Sequence, residues 1–484
     1  MRRVLGVDIG TSLTKAVVFD ENGNSLAQAS APSKVHHLRG GAVEQDFEQV
    51  VGTVATVVRA VSAELDGAVE ALALTGQGDG LWLRDAEGFP VRPAISWLDG
   101  RASELLTAWQ ENGVTREVFR RTGSGMFPGC TAAIMSYLDT HEPEVLDRAV
   151  VAGYCVDAVV QRLTGEITVD ISDASLPFID PATRAYDEAA IEACGLGHRR
   201  TLFADPAPPK KVFRLGRAGA ALLGLPEGLP VTGGPFDLPA CAIGAGVRRP
   251  GDGILTAGTT LACQVLTTDA VYDREGEPAG MFLCTPNEGE FLRGMPAMVG
   301  TAGIDWACKL LGIEVAEVGP LLAASTPGAG GITALPFLAT SGERAPFVDA
   351  GARAQFRGLS LENTRADLVR ALCESIAYAA RHCLSAAGLS GTLYACGGGV
   401  RSPEWTQIFA DVLARPIVIP DDPDVGARGA ALVAAEAIGE PFDADLWAAK
   451  STTVEHQPGA AELYDRGYSE YLTSLDVARE QWSR

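Results

Sequence analysis

The chain has 484 residues, 47% of them hydrophobic and 21% charged, which is too long for one small domain and too apolar for a disordered polymer. Its 55 glycines and 28 prolines follow no three-residue period, so a collagen-like rod is excluded. The formal charge of -22 repels a phosphate backbone over most of the surface. It argues against nucleic acid as a partner but leaves room for a local anion site.

The basic start of the chain is followed by an apolar run that Asp8 ends too early for a signal peptide. Residues 4–20 read as two strands around Gly10-Thr11-Ser12, with a third strand from Ser25 to Ser30. Asp46 opens a helix whose apolar face is Val50, Val54, Val57, Val58 and Val61. A strand at Val69 to Leu74 runs into the turn-rich Gly76-Gln77-Gly78-Asp79-Gly80. Residues 100–230 read as inserted helices and loops, and such an insertion is a common seat of specificity. A strand from Pro230 ends in Gly234-Pro235-Phe236-Asp237, ahead of a helix over Leu238 to Ile243.

The same order of elements then returns. Residues 253–266 form strand, Gly258-Thr259-Thr260 turn and strand; Thr364 caps a helix reaching Ala387; a strand at Thr392 to Cys396 ends in Gly397-Gly398-Gly399 before a helix from Pro403. Two copies of one unit imply two related domains, 1–247 and 248–484, with the boundary in the turn-rich residues 244–253. The longest uncharged stretch, 319–342, is broken by Pro320, Pro327 and Pro336, so no membrane span is expected. The ten cysteines form no C-x-x-C pair, and the expectation is reduced thiols in a cytoplasmic protein. The six histidines form no constellation.

Asp8, Gly10, Thr11, Ser12 and Lys15 combine exposed backbone N–H groups, two hydroxyls and a cation on a tight turn. That pattern suits a phosphate, and Asp8 at the strand end suits magnesium. No Walker motif occurs. The second turn, Gly258-Thr259, suits the same anion from the other domain. Gly397-Gly398-Gly399 with Ser402 offers backbone to a flat nucleoside. Asp237 reads either as a helix N-cap or as a general base. Gln77, Asp79, Asp99 and Arg101 are candidates for a polyhydroxylated ligand, and each also reads as a solvated turn residue. Gly342-Glu343-Arg344-Ala345-Pro346 reads as a charged loop suited to an interdomain salt bridge.

Together these residues resemble the FGGY family of carbohydrate kinases, within the actin-like, ribonuclease-H-like ATPase superfamily. The resemblance runs nearly end to end. It is carried by Asp8-Ile9-Gly10-Thr11-Ser12, Val43-Glu44-Gln45-Asp46, Trp97-Leu98-Asp99-Gly100-Arg101, Leu163-Thr164-Gly165-Glu166 with Asp173-Ala174-Ser175, the Gly233 to Asp237 run, Gly258-Thr259-Thr260, residues 342–346, Phe356-Arg357-Gly358-Leu359 and Gly397-Gly398-Gly399. It departs from the family pattern at Ile134 and Tyr137 ahead of Glu142-Pro143-Glu144, and at Leu372 and Cys373 ahead of Glu374.

The resemblance implies an α/β fold of two actin-like ATPase domains with an interdomain cleft. It implies ATP and Mg2+ as cofactors and a small sugar or polyol as substrate, in a homodimer. By it, Thr11, Ser12 and Lys15 would contact the ATP phosphates with Thr259 opposite. Gly300, Gly303, Gly398 and Gly399 would line the nucleotide pocket, Asp8 would sit by the magnesium, and Asp237 would be the base. Gln77, Asp79, Trp97 and Asp99 would line the sugar. The Gln77-Gly78-Asp79-Gly80 and Phe236-Asp237-Leu238 runs look most like the erythritol and L-xylulose branch, and a carboxylate at Asp79 suits a substrate without negative charge. The rival classes are a glycerol kinase-like enzyme, an actin-like ATPase working by conformation, and a sugar sensor without catalysis.

Overall fold

Strands Arg3–Ile9 and Leu13–Asp20 pair antiparallel around the Gly10-Thr11-Ser12 turn, in a computed structural model that describes residues 2–482. Strand Ser25–Pro32 continues the meander. Strand Ala71–Gly76, two residues later than the sequence suggests, lies parallel to Arg3–Ile9 and is followed outward by Pro230–Gly233. The resulting sheet runs Phe213–Arg214, Pro230–Gly233, Ala71–Gly76, Arg3–Ile9, Leu13–Asp20, Ser25–Pro32.

Strands buried on both faces need helices on both sides. One face takes helix Phe47–Glu64, whose Val50, Val54, Val57, Val58 and Val61 meet Leu5, Val7, Leu72 and Leu74. Asp46 caps this helix by accepting from the Gln49 N–H, 3.1 Å away. The other face takes helix Val425–Ala437, whose alanines meet Val4, Val17, Ala71 and Ala73. The chain thus divides into one unit formed by residues up to Gly246 with Thr268–Leu292 and Asp424–Ala449, and another formed by Val247–Thr267, Arg293–Pro423 and the residues from Lys450. A single cut near residue 247, as the sequence suggests, would assign Asp424–Ala449 to the other unit. Tertiary packing gathers it to the first unit because only an alanine- and glycine-rich helix can lie so close to that sheet face.

The second unit repeats the first. Strands Gly253–Ala257 and Leu261–Thr267 form the hairpin, and Leu393–Cys396 lies parallel to Gly253–Ala257 with Ile417–Pro420 beyond it. From the hairpin through the parallel strands the order is the same in both sheets, which have six and seven strands. This is the duplication expected from the recurring order of elements. Helix Arg365–Ala387 buries Leu372, Ile376, Cys383 and Leu384 against Leu255, Cys263 and Val265. Thr364 and Asp367 cap it reciprocally.

Residues 100–230 are helical as expected, including Thr131–His141 and Cys155–Thr164. All ten cysteines are free thiols, nine of them buried. Among the described residues no helix is long and apolar enough to cross a membrane.

The helix Asp237–Ala245 crosses Val425–Ala437 at glycines. A methyl group on Gly244 would stand 1.9 Å from the Val425 carbonyl oxygen, and one on Gly429 would stand 1.9 Å from that of Ala240. Substituting Gly244→Ala is expected to cost ~1–3 kcal/mol through this overpacking, read as a lower urea midpoint with an unchanged slope.

Candidate active site

Three strands of the first unit run parallel, so their carboxyl ends gather, and open α/β sheets bind ligands at such ends. Asp8 lies in register beside Thr75 and across the hairpin from Lys15. The turn after Pro230–Gly233 is held on three sides. Gly234 N–H donates to the Leu74 carbonyl at 2.9 Å, the Thr75 hydroxyl donates to the Pro235 carbonyl at 2.7 Å, and Phe236 N–H donates to the Ser172 hydroxyl at 3.2 Å. Asp237 follows at once. It is the first residue of its helix rather than the cap; Phe236 holds the cap position and no side chain caps that end. Asp237 thus stands one residue inside the cap position, and its carboxylate accepts a hydrogen bond from the Leu238 N–H.

Burial raises the Asp237 carboxyl to about 8, with the Asp8 charge adding to the effect. Burial likewise raises Asp8 to about 6, against the pull of Lys15 and with the push of Asp424. Two carboxylates at one strand edge with a single ammonium nearby leave negative charge uncompensated. That ammonium is committed: Lys15 Nζ sits 2.6 Å from Asp424 Oδ1. Asp424 was not among the residues singled out from the sequence. Its only signal there is an acidic run, Asp421, Asp422 and Asp424, ahead of an Ala/Gly-rich helix. Two residues on, a methyl group on Gly426 would come within 2.6 Å of Asp8 Oδ2, so glycine lets the helix start press on the carboxylate.

The donor set fits magnesium. Hard carboxylate oxygens suit it, and it commonly takes only one or two of them, filling its shell with phosphate oxygens and water. Among the described residues no three His, Cys, Asp or Glu side chains form a ready-made metal cage.

A second wall of the same unit holds the residues expected to meet a polyol. The Trp97 indole N–H donates to Thr11 Oγ1 at 3.0 Å, and the Thr11 hydroxyl donates to Gln77 Oε1 at 3.2 Å. Thr11 is thus tied to Gln77 and Trp97, both expected from the sequence to meet the sugar. Ser12, beside it, is exposed. Asp79 is buried in a left-handed conformation, φ 58°. Its Oδ1 accepts from Thr131 N–H at 3.0 Å, and its own N–H donates to Asp173 Oδ1 at 2.8 Å. Burial raises Asp173 well above the usual carboxylate range.

Asp99 is placed differently. Its Oδ2 accepts from the Val43 N–H, and its Oδ1 accepts from Arg101 Nε. Arg101 also reaches Glu44 at 2.7 Å, and Glu44 in turn meets Arg92. Asp99 and Arg101 therefore build a buried ion network that braces the loop behind Trp97.

In the second unit the expected nucleotide residues converge at the carboxyl end of Gly253–Ala257. Gly300 N–H donates to the Thr259 carbonyl at 3.0 Å, and Thr301 N–H to that of Gly258 at 2.7 Å. The hairpin turn and the start of helix Thr301–Leu311 are thereby locked together, with Gly303 in the first helical turn. Gly397 and Gly399 lie against Ala257, whereas Gly398 has open space around it, which leaves backbone for a flat ring. Ser402 caps helix Pro403–Leu413, its hydroxyl accepting from Trp405 N–H at 3.3 Å. Within the 342–346 loop, Glu343 is bound locally. It is buried, and its Oε1 accepts from the backbone N–H groups of Met298, at 3.0 Å, and Arg344, at 2.8 Å.

Residues 3–244 match the N-terminal domain of the FGGY family of carbohydrate kinases, and residues 254–438 match its C-terminal domain. The chain is 34% identical to an erythritol kinase of Brucella abortus, covering 98% of this chain and 94% of the relative. It is 29% identical to a xylulose kinase of Escherichia coli over 89% of each. The crystal structure of a xylulose kinase from Rhodospirillum rubrum covers 100% of both chains at 29% identity, with a TM-score of 0.88.

Because the folded state holds the Asp237 proton up to about 8 while an unfolded chain releases it near the ordinary carboxylate value, the folded state binds more protons between these limits. Stability therefore falls as pH rises through that window. Asp237→Asn is expected to remove this cost. Its Tm should exceed that of the ligand-free wild type near pH 8 and match it near pH 4, as read by calorimetry across pH.

Proposed function

The chain belongs to the FGGY family of carbohydrate kinases and transfers a phosphoryl group to a hydroxyl of a sugar or polyol, and within that activity we propose that its substrate is a neutral four-carbon polyol of the erythritol type, with Asp237 as the base. The observation that carries the role of Asp237 is its buried carboxylate in the turn-to-helix junction just past the carboxyl end of the parallel strand Pro230–Gly233, where it feels the Asp8 charge. The choice of a neutral polyol rests on the buried Asp79 carboxylate in this wall. A sugar acid would meet repulsion there. Four carbons are favoured over five by the likeness to the erythritol kinase.

Kinases of this family use ATP. In the proposed reaction the substrate hydroxyl oxygen bonds to the γ-phosphorus, the bond from that phosphorus to the β–γ bridging oxygen breaks, and Asp237 takes the hydroxyl proton. A base held near neutrality serves this task best, and burial beside Asp8 supplies that poise. Asp8 would hold magnesium, which when bound neutralises charge on the phosphates. The Gly10–Ser12 turn would offer backbone N–H groups to the phosphates, with Ser12 as a hydroxyl donor. Gly258, Thr259, Gly300, Gly303, Gly398, Gly399 and Ser402 would hold the rest of the nucleotide. A homodimer is the proposed assembly, and gel filtration with light scattering tests it.

A coupled ADP assay tests the substrate. Erythritol is expected to give the highest kcat/KM among erythritol, glycerol, ribitol, D-xylulose, L-xylulose and gluconate, and gluconate the lowest. Preference for a ketopentose would refute the four-carbon choice, and ADP release unstimulated by any of them would favour an ATPase working by conformation. Asp237→Asn is expected to lower kcat by roughly 10²–10⁴ with nucleotide affinity nearly unchanged.

A further inference from the structure

The Thr11 hydroxyl has one proton to give and can accept through its lone pairs. In this structure it accepts from the Trp97 indole at 3.0 Å and gives its proton to Gln77 Oε1 at 3.2 Å. Gln77 is 3% exposed, so its carbonyl depends on this donor. The Gln77 amide nitrogen faces Cys155 Sγ at 3.8 Å and gives no stronger anchor. Lys15, the cation of the same hairpin, is paired with Asp424. Of the hairpin side chains expected at the phosphates, Thr11 and Lys15 are thus already engaged elsewhere, Thr11 with residues of the polyol wall.

We propose that the Thr11 hydroxyl is the element that couples polyol binding to nucleotide binding. It does so by passing its single proton between Gln77 Oε1 and a phosphate oxygen. This rests on the reading that the hairpin meets the phosphates and that Gln77 and Trp97 line the polyol. A phosphate oxygen at the hairpin takes the Thr11 proton only when Gln77 Oε1 finds another donor. A polyol hydroxyl is such a donor. A polyol alone displaces Thr11 from Gln77 and leaves the hydroxyl proton without an acceptor until a phosphate arrives. Each ligand therefore supplies the partner that the other one removes. The coupling is positive, and as a binding free energy it is the same in both directions. Trp97 keeps the Thr11 oxygen in place in both states, because its indole N–H donates to a lone pair whichever way the proton points. No bond other than hydrogen bonds changes.

The test is calorimetric titration of the full chain with erythritol, alone and with a non-hydrolysable ATP analogue plus Mg2+, and of the analogue with and without erythritol. Wild type is expected to bind erythritol at least fivefold tighter when the analogue is present, with the same factor in the reverse titration. Thr11→Val keeps the shape and removes the hydroxyl. It should bring that factor close to one while both ligands still bind. Thr11→Ser should restore it. A second readout does not depend on the Thr11 variants. The indole N–H proton resonance of Trp97, identified by its loss in Trp97→Phe, should shift when the analogue is added to the erythritol-bound protein and stay in place when the analogue is added alone. Equal erythritol affinity with and without the analogue overturns the proposal while leaving the site reading intact, as does full coupling in Thr11→Val. A Trp97 resonance unmoved by the analogue in the erythritol-bound protein overturns it as well. Absence of erythritol binding with analogue binding intact overturns the substrate reading and this proposal with it.

Discussion

The approach of Gly426 to the Asp8 carboxylate is the contact on which the first unit's chemistry depends. The helix that begins there comes from late in the chain and lies across the sheet face formed by Val4, Val17, Ala71 and Ala73. Its first residues bring Asp424 to Lys15 and close protein around Asp8. Any side chain at 426 would displace either the helix or the carboxylate. The helix Asp237–Ala245 crosses the same helix at Gly244 and Gly429, so the element that begins with Asp237 is seated by the same small-residue surface. Close backbone approach, made possible by missing side chains, thus brings Asp8, Lys15, Asp424 and Asp237 into one electrostatic unit.

That unit is held at a cost. Burying carboxylates near one another disfavours their charged forms, which is why Asp8 and Asp237 both titrate above the ordinary range. The backbone compensates by rigidity: Thr75, Leu74 and Ser172 hold the Gly234-Pro235-Phe236 turn through three hydrogen bonds. The acid is kept in a place that the electrostatics alone would not choose. Such a site is poised for a cation and a proton acceptor role, and it is destabilised without ligand. Function and stability pull apart here, a common property of preorganised sites.

Much of this was legible from residue order. Asp46 and Thr364 cap their helices as their spacing suggests, because capping is a local interaction within three residues. Both Gly-Thr hairpins form, since alternation and turn residues suffice to specify them. The matching sheet orders follow from that repetition. What was not legible is whatever depends on partners distant in sequence. Asp99 read as either a ligand-facing carboxylate or a solvated turn residue, and the fold buries it against Arg101 and the Val43 N–H. Glu343, in a loop read only as charged, serves backbone N–H groups. A carboxylate's spacing does not reveal which donors will surround it.

Sequence by itself determined the two repeated units, the hairpin turns, the strand-end position of Asp8 and Asp237, and the membership in a family of carbohydrate kinases. These rest on periodicity, turn chemistry and motif order, which are local properties summed along the chain. Tertiary structure alone decided that the helix after Asp424 belongs with the first sheet and that Lys15 is held by Asp424. It alone decided that Thr11 is bound to Gln77 and Trp97. The reason is physical: burial and hydrogen-bond pairing are fixed by close approach between segments hundreds of residues apart, and no local pattern records which segment will arrive.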